Sequence, residues 1–295
     1  MAPQNKPRNL IHLSGNTYLL RGSPVTIVYS YKETVYIIDP GHGSKRSKQL
    51  RQALSDLGAE RVVAIITHYH SDHLSITGKI NPSKVVSSRQ DRLCIEDPRL
   101  RILVTFGYPI PPGHPSLPFD APGVNVTGAI EPGEEIEGIL ETIPLPGHTP
   151  GQIGIVTPDS VLYLADSAFG TRVLENYYIP YHLDYDTALR TLYKIRDEYA
   201  GEYSRVVFGH GPLVSREEAL GIIEENISHH EKVKEEILET APGRSVEETV
   251  IEVLKKAGKT PTLQLVLLAS GSARSLIASE YDLSLGVDRI VAREA

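Results

Sequence analysis

The apolar positions of the first 215 residues follow two spacings, one typical of strands and one typical of helices. Short runs rich in Val, Ile, Tyr and Thr, separated by Gly, Pro, Ser or charged turns, predict strands. These strands are predicted at Asn16–Leu20, Val25–Ser30, Thr34–Asp39, Arg61–Thr67, Lys84–Ser87, Val124–Ala129, Glu135–Ile143, Ile153–Thr157, Val161–Ala165 and Arg205–Phe208. Apolar residues at helical spacing predict helices over Ser44–Leu57, Ser88–Glu96 and Asp186–Tyr199. We expect the first three strands to be antiparallel and Arg61–Thr67 to be buried.

From residue 216 onward the pattern is helical. Ser215 with Glu218 and Ser245 with Glu248 each form a capping-box pattern, and Thr260-Pro261 predicts a third helix with proline at its first position. The chain is therefore predicted to consist of an α/β unit over 1–215 and a helical extension over 216–295. The extension carries more acidic than basic residues, which favours a role as a cover of the core or as a homodimer contact.

A proline-rich segment interrupts the pattern between Asp97 and Gly123. Its prolines predict a long loop without regular structure. Loops of this length in compact proteins are often lids or binding loops, and a simple surface insertion is the alternative.

Composition narrows the class of protein. The 295 residues are 40% hydrophobic and 23% charged, as in ordinary globular proteins, and no apolar run approaches the length of a membrane span. The single cysteine, Cys94, excludes an internal disulfide and is expected to be a buried thiol in a helix. The N-terminus lacks the apolar core of a secretory signal, so we expect a cytoplasmic protein.

Charge and thermolabile residues add two further expectations. The net charge of −7 argues against nucleic acid as a partner and favours a small-molecule substrate. The absence of tryptophan, with one methionine and one cysteine, is typical of thermostable proteins, and we expect a melting temperature above about 60 °C.

Histidine and aspartate are concentrated in one short segment. His68, His70, Asp72 and His73 directly follow a predicted strand. Because side chains two residues apart on a strand point the same way, His68 and His70 can face one pocket. Imidazoles and carboxylates at this density suit zinc, with iron or manganese as alternatives.

Three more candidate ligands follow later strands. His148 lies in LPGHTPG, Asp166 in LYLADS and His210 in VVFGHGP. Each follows an apolar run and precedes a turn, which is where a β scaffold presents ligands into a cleft.

Together these motifs resemble the metallo-β-lactamase superfamily. The HxHxDH segment at 68–73 is followed by His148, Asp166 and His210 in the superfamily order, and IIDPG and PGHTPG match as well. The resemblance covers about residues 10–215. It implies a four-layer αββα sandwich with metals at one edge.

The resemblance also implies a division of the ligands between two divalent metal ions. His68, His70 and His148 hold one ion, Asp72, His73 and His210 hold the other, and Asp166 bridges them. Two adjacent cations lower the pKa of a shared water to near neutrality, so a hydroxide nucleophile is available. Asp72 and Asp166 are thereby the expected catalytic carboxylates.

The substrate stays open within this superfamily. An ester, lactone or thioester is favoured, with a phosphodiesterase or nuclease on the same site as the alternative. A mononuclear iron sulfur dioxygenase and a non-catalytic RNA-binding relative are further alternatives.

Lactonases of this superfamily offer the most detailed comparison. The segment 175–195 resembles their loop and helix, but Phe169 stands where they usually have a tyrosine donor to the developing oxyanion. Tyr177, Tyr178 or Tyr181 could take that role, and Phe169 and His182 are further candidates for substrate contact. His12, His229 and His230 are expected to be solvated.

Overall fold

The computed structural model describes residues 7, 9–111, 114, 120–285 and 290–293 of the chain. Within this part the chain forms two large sheets. The strands of the first sheet are β1 (Ile11–Ser14), β2 (Thr17–Leu20), β3 (Thr26–Tyr31), β4 (Thr34–Ile38), β5 (Arg61–Ile66), β6 (Lys84–Ser88) and β7 (Gly128–Ile130), in that order. Strands β1 to β4 are antiparallel, as predicted for the first strands, whereas β4 to β7 are parallel.

The second sheet has four strands, which pair in the order in which they occur along the chain. Its strands are β8 (Glu141–Pro144), β9 (Ile153–Thr157), β10 (Val161–Tyr163) and β11 (Arg205–Val207). The β10–β11 pair is parallel, so the residues that follow these two strands leave the sheet at the same edge. The predicted strands Val124–Ala129 and Glu135–Ile143 are only partly correct, because pairing begins at Gly128 and at Glu141.

The helices lie outside the two sheets. They are α1 (Ser44–Asp56), α2 (Ser71–Leu74), α3 (Arg92–Glu96), α4 (Pro98–Phe106), α5 (Thr171–Tyr177), α6 (Tyr185–Lys194), α7 (Arg216–Thr240), α8 (Val246–Lys256) and α9 (Leu263–Glu280). A turn of 3₁₀ helix follows α2 at Thr77–Ile80, and α6 continues as a π-helical turn over Ile195–Tyr199.

The apolar runs of the central strands are buried on both faces because these strands contribute side chains to two cores. In β4, Val35 and Ile37 pack in the core beneath α1, whereas Tyr36 and Ile38 pack between the two sheets. A further core lies between the second sheet and helices α6 and α7. These layers form the expected αββα sandwich.

The prediction that the proline-rich segment between Asp97 and Gly123 is one continuous loop is wrong. Residues Pro98–Phe106 form α4, with the Asp97 side chain accepting a hydrogen bond from the Arg99 amide and Gly107 ending the helix at φ 81°. Pro98 occupies the first helical turn, where its missing N–H costs nothing. Residues 112–113 and 115–119 of the segment lie outside the described residues.

The tail is mostly helical, as predicted, and both capping boxes are confirmed at the starts of α7 and α8. Two details of the prediction are wrong. The third helix begins at Leu263 with Thr262 as its N-cap, so Pro261 lies before it. An antiparallel pair, β12 (Asp282–Leu285) and β13 (Ile290–Arg293), follows α9.

Candidate metal centre

The seven predicted ligands follow strand ends and meet at one edge of the sandwich. His68 and His70 follow β5, and α2 begins immediately afterwards and carries Asp72 and His73. The other three ligands leave the second sheet, His148 after β8, Asp166 after β10 and His210 after β11. The structure therefore brings together ligands that are widely separated in the sequence.

The first group consists of His68, His70, His148 and Asp166, whose ligand atoms all lie within 4.8 Å of one another. The Nδ1 atom of His70 is 2.8 Å from Nε2 of His148, and Oδ2 of Asp166 is 3.5 Å from the latter atom. The Nε2 atom of His68 is buried and makes no hydrogen bond within the described residues. A cation among these atoms gives that nitrogen a partner.

The second group consists of Asp72, His73 and His210. The Nε2 atom of His210 lies 3.1 Å from Oδ2 of Asp72 and 3.2 Å from Nε2 of His73. Two imidazoles and a carboxylate at these distances form a donor set that suits a divalent cation.

Asp166 lies between the two groups. Its Oδ1 atom is 3.2 Å from Nε2 of His73, and its Oδ2 atom is 3.4 Å from Nε2 of His210. The same carboxylate also belongs to the first group, so its position fits the bridging role. The glycine before His210 permits this approach, since a Cβ atom at Gly209 would lie 2.5 Å from Asp166 Oδ1.

A buried carboxylate orients one ligand from behind. Oδ2 of Asp39, which follows β4, is 2.8 Å from Nδ1 of His73. The Thr67 amide and hydroxyl and the Tyr163 hydroxyl also donate to this carboxylate. A ligating histidine commonly donates its second ring N–H to such a group, which fixes its tautomer. In the sequence, IIDPG is a motif match only, and it does not indicate this contact between Asp39 and His73.

Two other ligands are oriented in the same way. Nδ1 of His148 donates to the Tyr181 carbonyl at 2.8 Å, and Nδ1 of His210 lies 2.7 Å from the Ser23 hydroxyl. Both arrangements leave Nε2 facing the centre. No feature of the sequence around Ser23 indicated this contact.

The local electrostatics favour the ligating forms of most of these groups. Burial lowers the pKa of His148 to about 4 and lowers the pKa of His68 and His70 as well, so these imidazoles stay neutral at physiological pH. Burial alone would raise the pKa of Asp166, but His210 and His73 hold it well below its ordinary value. The centre therefore offers lone pairs and negative charge to a cation.

A cavity of about 260 Å³ adjoins the ligands. Most of the rest of its wall is apolar and comes from α4, α5, α9 and the segments that flank α5, and the polar residues Ser23, His42 and Asp120 line it from other segments. The lining includes Ile102, Phe106, Phe169, Val173, Ile179, Pro180 and Leu268. Arg101 is the only lysine or arginine among the described lining residues, and it donates to the backbone carbonyls of Cys94 and Ala121.

Three of the five predicted substrate contacts line this cavity: Phe169, Tyr177 and Tyr181. Tyr178 does not, because its hydroxyl donates to Glu236 of α7 at 2.7 Å. His182 does not line it either, since the side chain is fully buried. Neither Tyr178 nor His182 therefore contacts this cavity, and both pack behind its wall.

His182 packs behind the centre against a second histidine. Its Nε2 atom lies 2.8 Å from Nε2 of His230, and its ring centroid is 5.5 Å from that of His148. The expectation that His230 is solvated is wrong, because this residue is fully buried on the inner face of α7. Cys94 is buried in α3, as expected.

The family model of the metallo-beta-lactamase superfamily matches residues 13–210, a span that holds all seven ligands. The chain belongs to the metallo-beta-lactamase superfamily. Members of this superfamily are hydrolytic enzymes, and this chain is one of them.

Solved structures of the superfamily share the fold at low sequence identity. A metallo-beta-lactamase family protein from Thermus thermophilus is 17% identical, with a TM-score of 0.65, and the match covers 94% of this chain and 99% of that one. A beta-lactamase domain protein from Burkholderia ambifaria is 15% identical, with a TM-score of 0.68 and coverages of 99% and 96%. A double mutant of the sec-alkyl sulfatase PisA1 is 16% identical, with a TM-score of 0.59. This match covers 92% of this chain and 50% of the PisA1 chain. The comparison with curated proteins finds no match.

The chain has clusters of histidine and aspartate residues that could bind metal ions. These clusters contain the seven residues that the sequence motifs predicted as ligands. Within the described residues, no helix is both long enough and apolar enough to cross a membrane.

Proposed function

We propose that this hydrolase cleaves a carboxylic ester, lactone or thioester whose acid part is apolar, with two divalent metal ions, zinc first, held by the seven ligands. The observation that carries the proposal is the apolar cavity directly beside the ligand clusters. A substrate whose reacting carbonyl lies at His148 and Asp166 can extend its acid part along Phe169, Val173 and Leu268. Burial of those methylene groups contributes about 0.8 kcal/mol each.

The charge of the cavity supports an acyl substrate over a phosphodiester or a glutathione thioester. Phosphate and carboxylate groups in a binding site are usually paired with Arg or Lys. Arg101 already donates to two carbonyls, and the charge of Asp120 acts on it. The described lining therefore supplies no other lysine or arginine for an anionic substrate.

Divalent cations held at such a site would activate a coordinated water near neutral pH and polarise the scissile carbonyl. His68, His70 and His148 would hold one cation, Asp72, His73 and His210 the other, and Asp166 would contact both. Asp39, Ser23 and the Tyr181 carbonyl keep three of the imidazoles in the required orientation.

We assign Tyr177 in the cavity wall as the hydrogen-bond donor to the substrate. The residue belongs to the lining and is 37% exposed, and burial together with the charge of Asp72 raises its pKa. A tyrosine with a raised pKa keeps its proton at physiological pH and can donate a hydrogen bond to the developing oxyanion. Tyr181 is more deeply buried, and burial raises its pKa to about 12.

The proposal is tested by initial rates on a matched set of substrates. An aliphatic lactone, an aliphatic thioester, a glutathione thioester, a bis-aryl phosphodiester and an alkyl sulfate are compared with and without chelator. The expected result is chelator-sensitive turnover of the two aliphatic acyl substrates above all others.

Each other outcome points to a different function. Faster phosphodiester or sulfate-ester cleavage would contradict the proposal. Oxygen consumption by iron-containing protein without hydrolysis would favour a sulfur dioxygenase.

A further inference from the structure

Helix α9 lies outside the residues matched by the family model, yet it contributes to the wall of the cavity. Gln264 and Leu268 line the cavity one turn apart on this helix. Because i and i+4 residues share a helix face, both side chains point from α9 toward the same space. Helix α4 contributes the apolar residues Ile102 and Phe106 and the polar residues Arg101 and Thr105 to the same wall.

Gly271 allows α9 to pack closely against Tyr181 and α4. A Cβ atom at Gly271 would lie 2.9 Å from Cε2 of Tyr181 and 3.7 Å from the Thr105 carbonyl oxygen of α4. The absence of a side chain at this position allows the helix to contact the ring directly.

Ser272 fastens the helix to the segment that carries a ligand contact. Its hydroxyl donates to the Pro180 carbonyl at 2.7 Å and accepts from the His182 amide at 2.7 Å. Between these two residues, the Tyr181 carbonyl accepts the hydrogen bond from His148 Nδ1. The position of α9 is therefore fixed relative to the ligands, and its Leu268 side chain forms a fixed boundary of the cavity.

We propose that α4 and α9 form a binding subsite for a straight aliphatic acyl chain, and that Leu268 sets the length of chain that fits. This subsite rests on the proposed function in that it receives the acid part of the proposed substrate. Ile102, Phe106 and Leu268 supply the apolar part of this wall, and an alkyl chain that packs on them needs no cationic partner.

The subsite is tested by a binding measurement that needs no turnover. Straight-chain methyl ketones are titrated calorimetrically into the metal-loaded wild-type protein and into Leu268→Trp and Leu268→Ala. In the wild type, affinity should increase about fourfold for each added methylene until the cavity is filled and then level off. Leu268→Trp should level off at shorter chains and bind the longest ketone at least about tenfold more weakly. Leu268→Ala should level off at longer chains.

Leu263→Ala is the matched control, because Leu263 belongs to the same helix but is 64% exposed and does not line the cavity. This variant should reproduce the wild-type profile. If Leu268→Trp does not fold, the opposite shift in Leu268→Ala still tests the proposal. An affinity that does not depend on chain length, or identical profiles in the Leu268 variants and the wild type, would overturn it.

Hydrolysis assays separate this subsite from the proposed function. Length-dependent ketone binding without ester hydrolysis would leave the subsite standing and contradict the proposed function. Ester hydrolysis with a kcat/KM that is independent of acyl length in every variant would support the proposed function and contradict the subsite.

Discussion

The Nδ1 atom of His73 lies 2.8 Å from Oδ2 of Asp39, a carboxylate with no exposed surface. Strands β4 and β5 are parallel neighbours, so Asp39 at the end of one lies beside the ligand segment at the end of the other. The contact fixes the ring so that its Nε2 atom faces Asp166 at 3.2 Å.

Replacing this carboxylate should weaken metal binding without removing a ligand. Asp39→Asn is expected to lower metal affinity about 10- to 100-fold, because it removes the charged acceptor that orients His73. Competition with a chromogenic chelator measures the affinity. Asp159→Asn is the control, since Asp159 accepts comparable hydrogen bonds from Asn16 and Thr17. Equal affinities in the two variants would show that Asp39 has no orienting role.

Loss of the bridging carboxylate or of a ligand from the first group should remove turnover. Asp166→Ala and His68→Ala are each expected to lower kcat by more than about 100-fold, given what a metal-activated nucleophile contributes. Metal content is measured on the same samples. Rates like those of the wild type in variants that still hold their metal would exclude this site from catalysis.

Two adjacent tyrosines provide a matched pair for testing the hydrogen-bond donor to the oxyanion. Tyr177→Phe is expected to lower kcat/KM about tenfold or more, because it removes a donor to the developing oxyanion. Tyr178→Phe loses a hydroxyl of the same kind that is bound to Glu236 instead, and it should keep the wild-type rate. Steady-state kinetics on the preferred acyl substrate decide between them, and equal losses would argue against a donor role for Tyr177.

The sequence indicated the candidate ligands because five of the seven follow an apolar strand at its end, and Asp72 and His73 come directly after His68 and His70. The sequence did not show which of the candidate tyrosines line the cavity. Tyr177 ends α5, and Tyr178 has φ 62°, so the chain turns sharply and the two side chains face different surroundings. Such a turn depends on packing against α7 and is not readable from the alternation of residues.

Helix α4 and His230 show two further limits. The prolines of the 97–123 segment suggested a loop, although Pro98 occupies a tolerated position and Asp97 and Gly107 are ordinary cap residues. His230 has a glutamate-rich sequence around it, but a 25-residue helix buries one face, and the composition does not show which face that is.

A surface network should give the fold a defined pH dependence. Arg61 lowers the pKa of Glu137 from 4.5 to about 2, with further hydrogen bonds from Lys84 and Tyr36. A carboxyl whose pKa is depressed by folding stabilises the protein above its unfolded pKa and loses that contribution as the pH falls toward its folded pKa. The stabilisation is therefore complete above about pH 5 and is lost between about pH 5 and pH 2.

Glu137→Gln tests this dependence. We expect it to lower the free energy of unfolding by about 1 to 2 kcal/mol at neutral pH, a value reduced for the partial exposure of Arg61. The difference between the variant and the wild type should shrink as the pH falls from 5 toward 3. Urea unfolding at several pH values measures it, and a difference that does not change with pH would refute the assignment.

We propose above that the seven candidate ligands hold two divalent metal ions that together support acyl hydrolysis. The most direct test is to remove metal with a chelator and return zinc stepwise, while bound zinc and hydrolysis of an aliphatic lactone or thioester are measured on the same samples. We expect negligible activity without metal and a plateau at two equivalents of bound zinc. Full activity in metal-free protein, or a plateau at one equivalent, would contradict it.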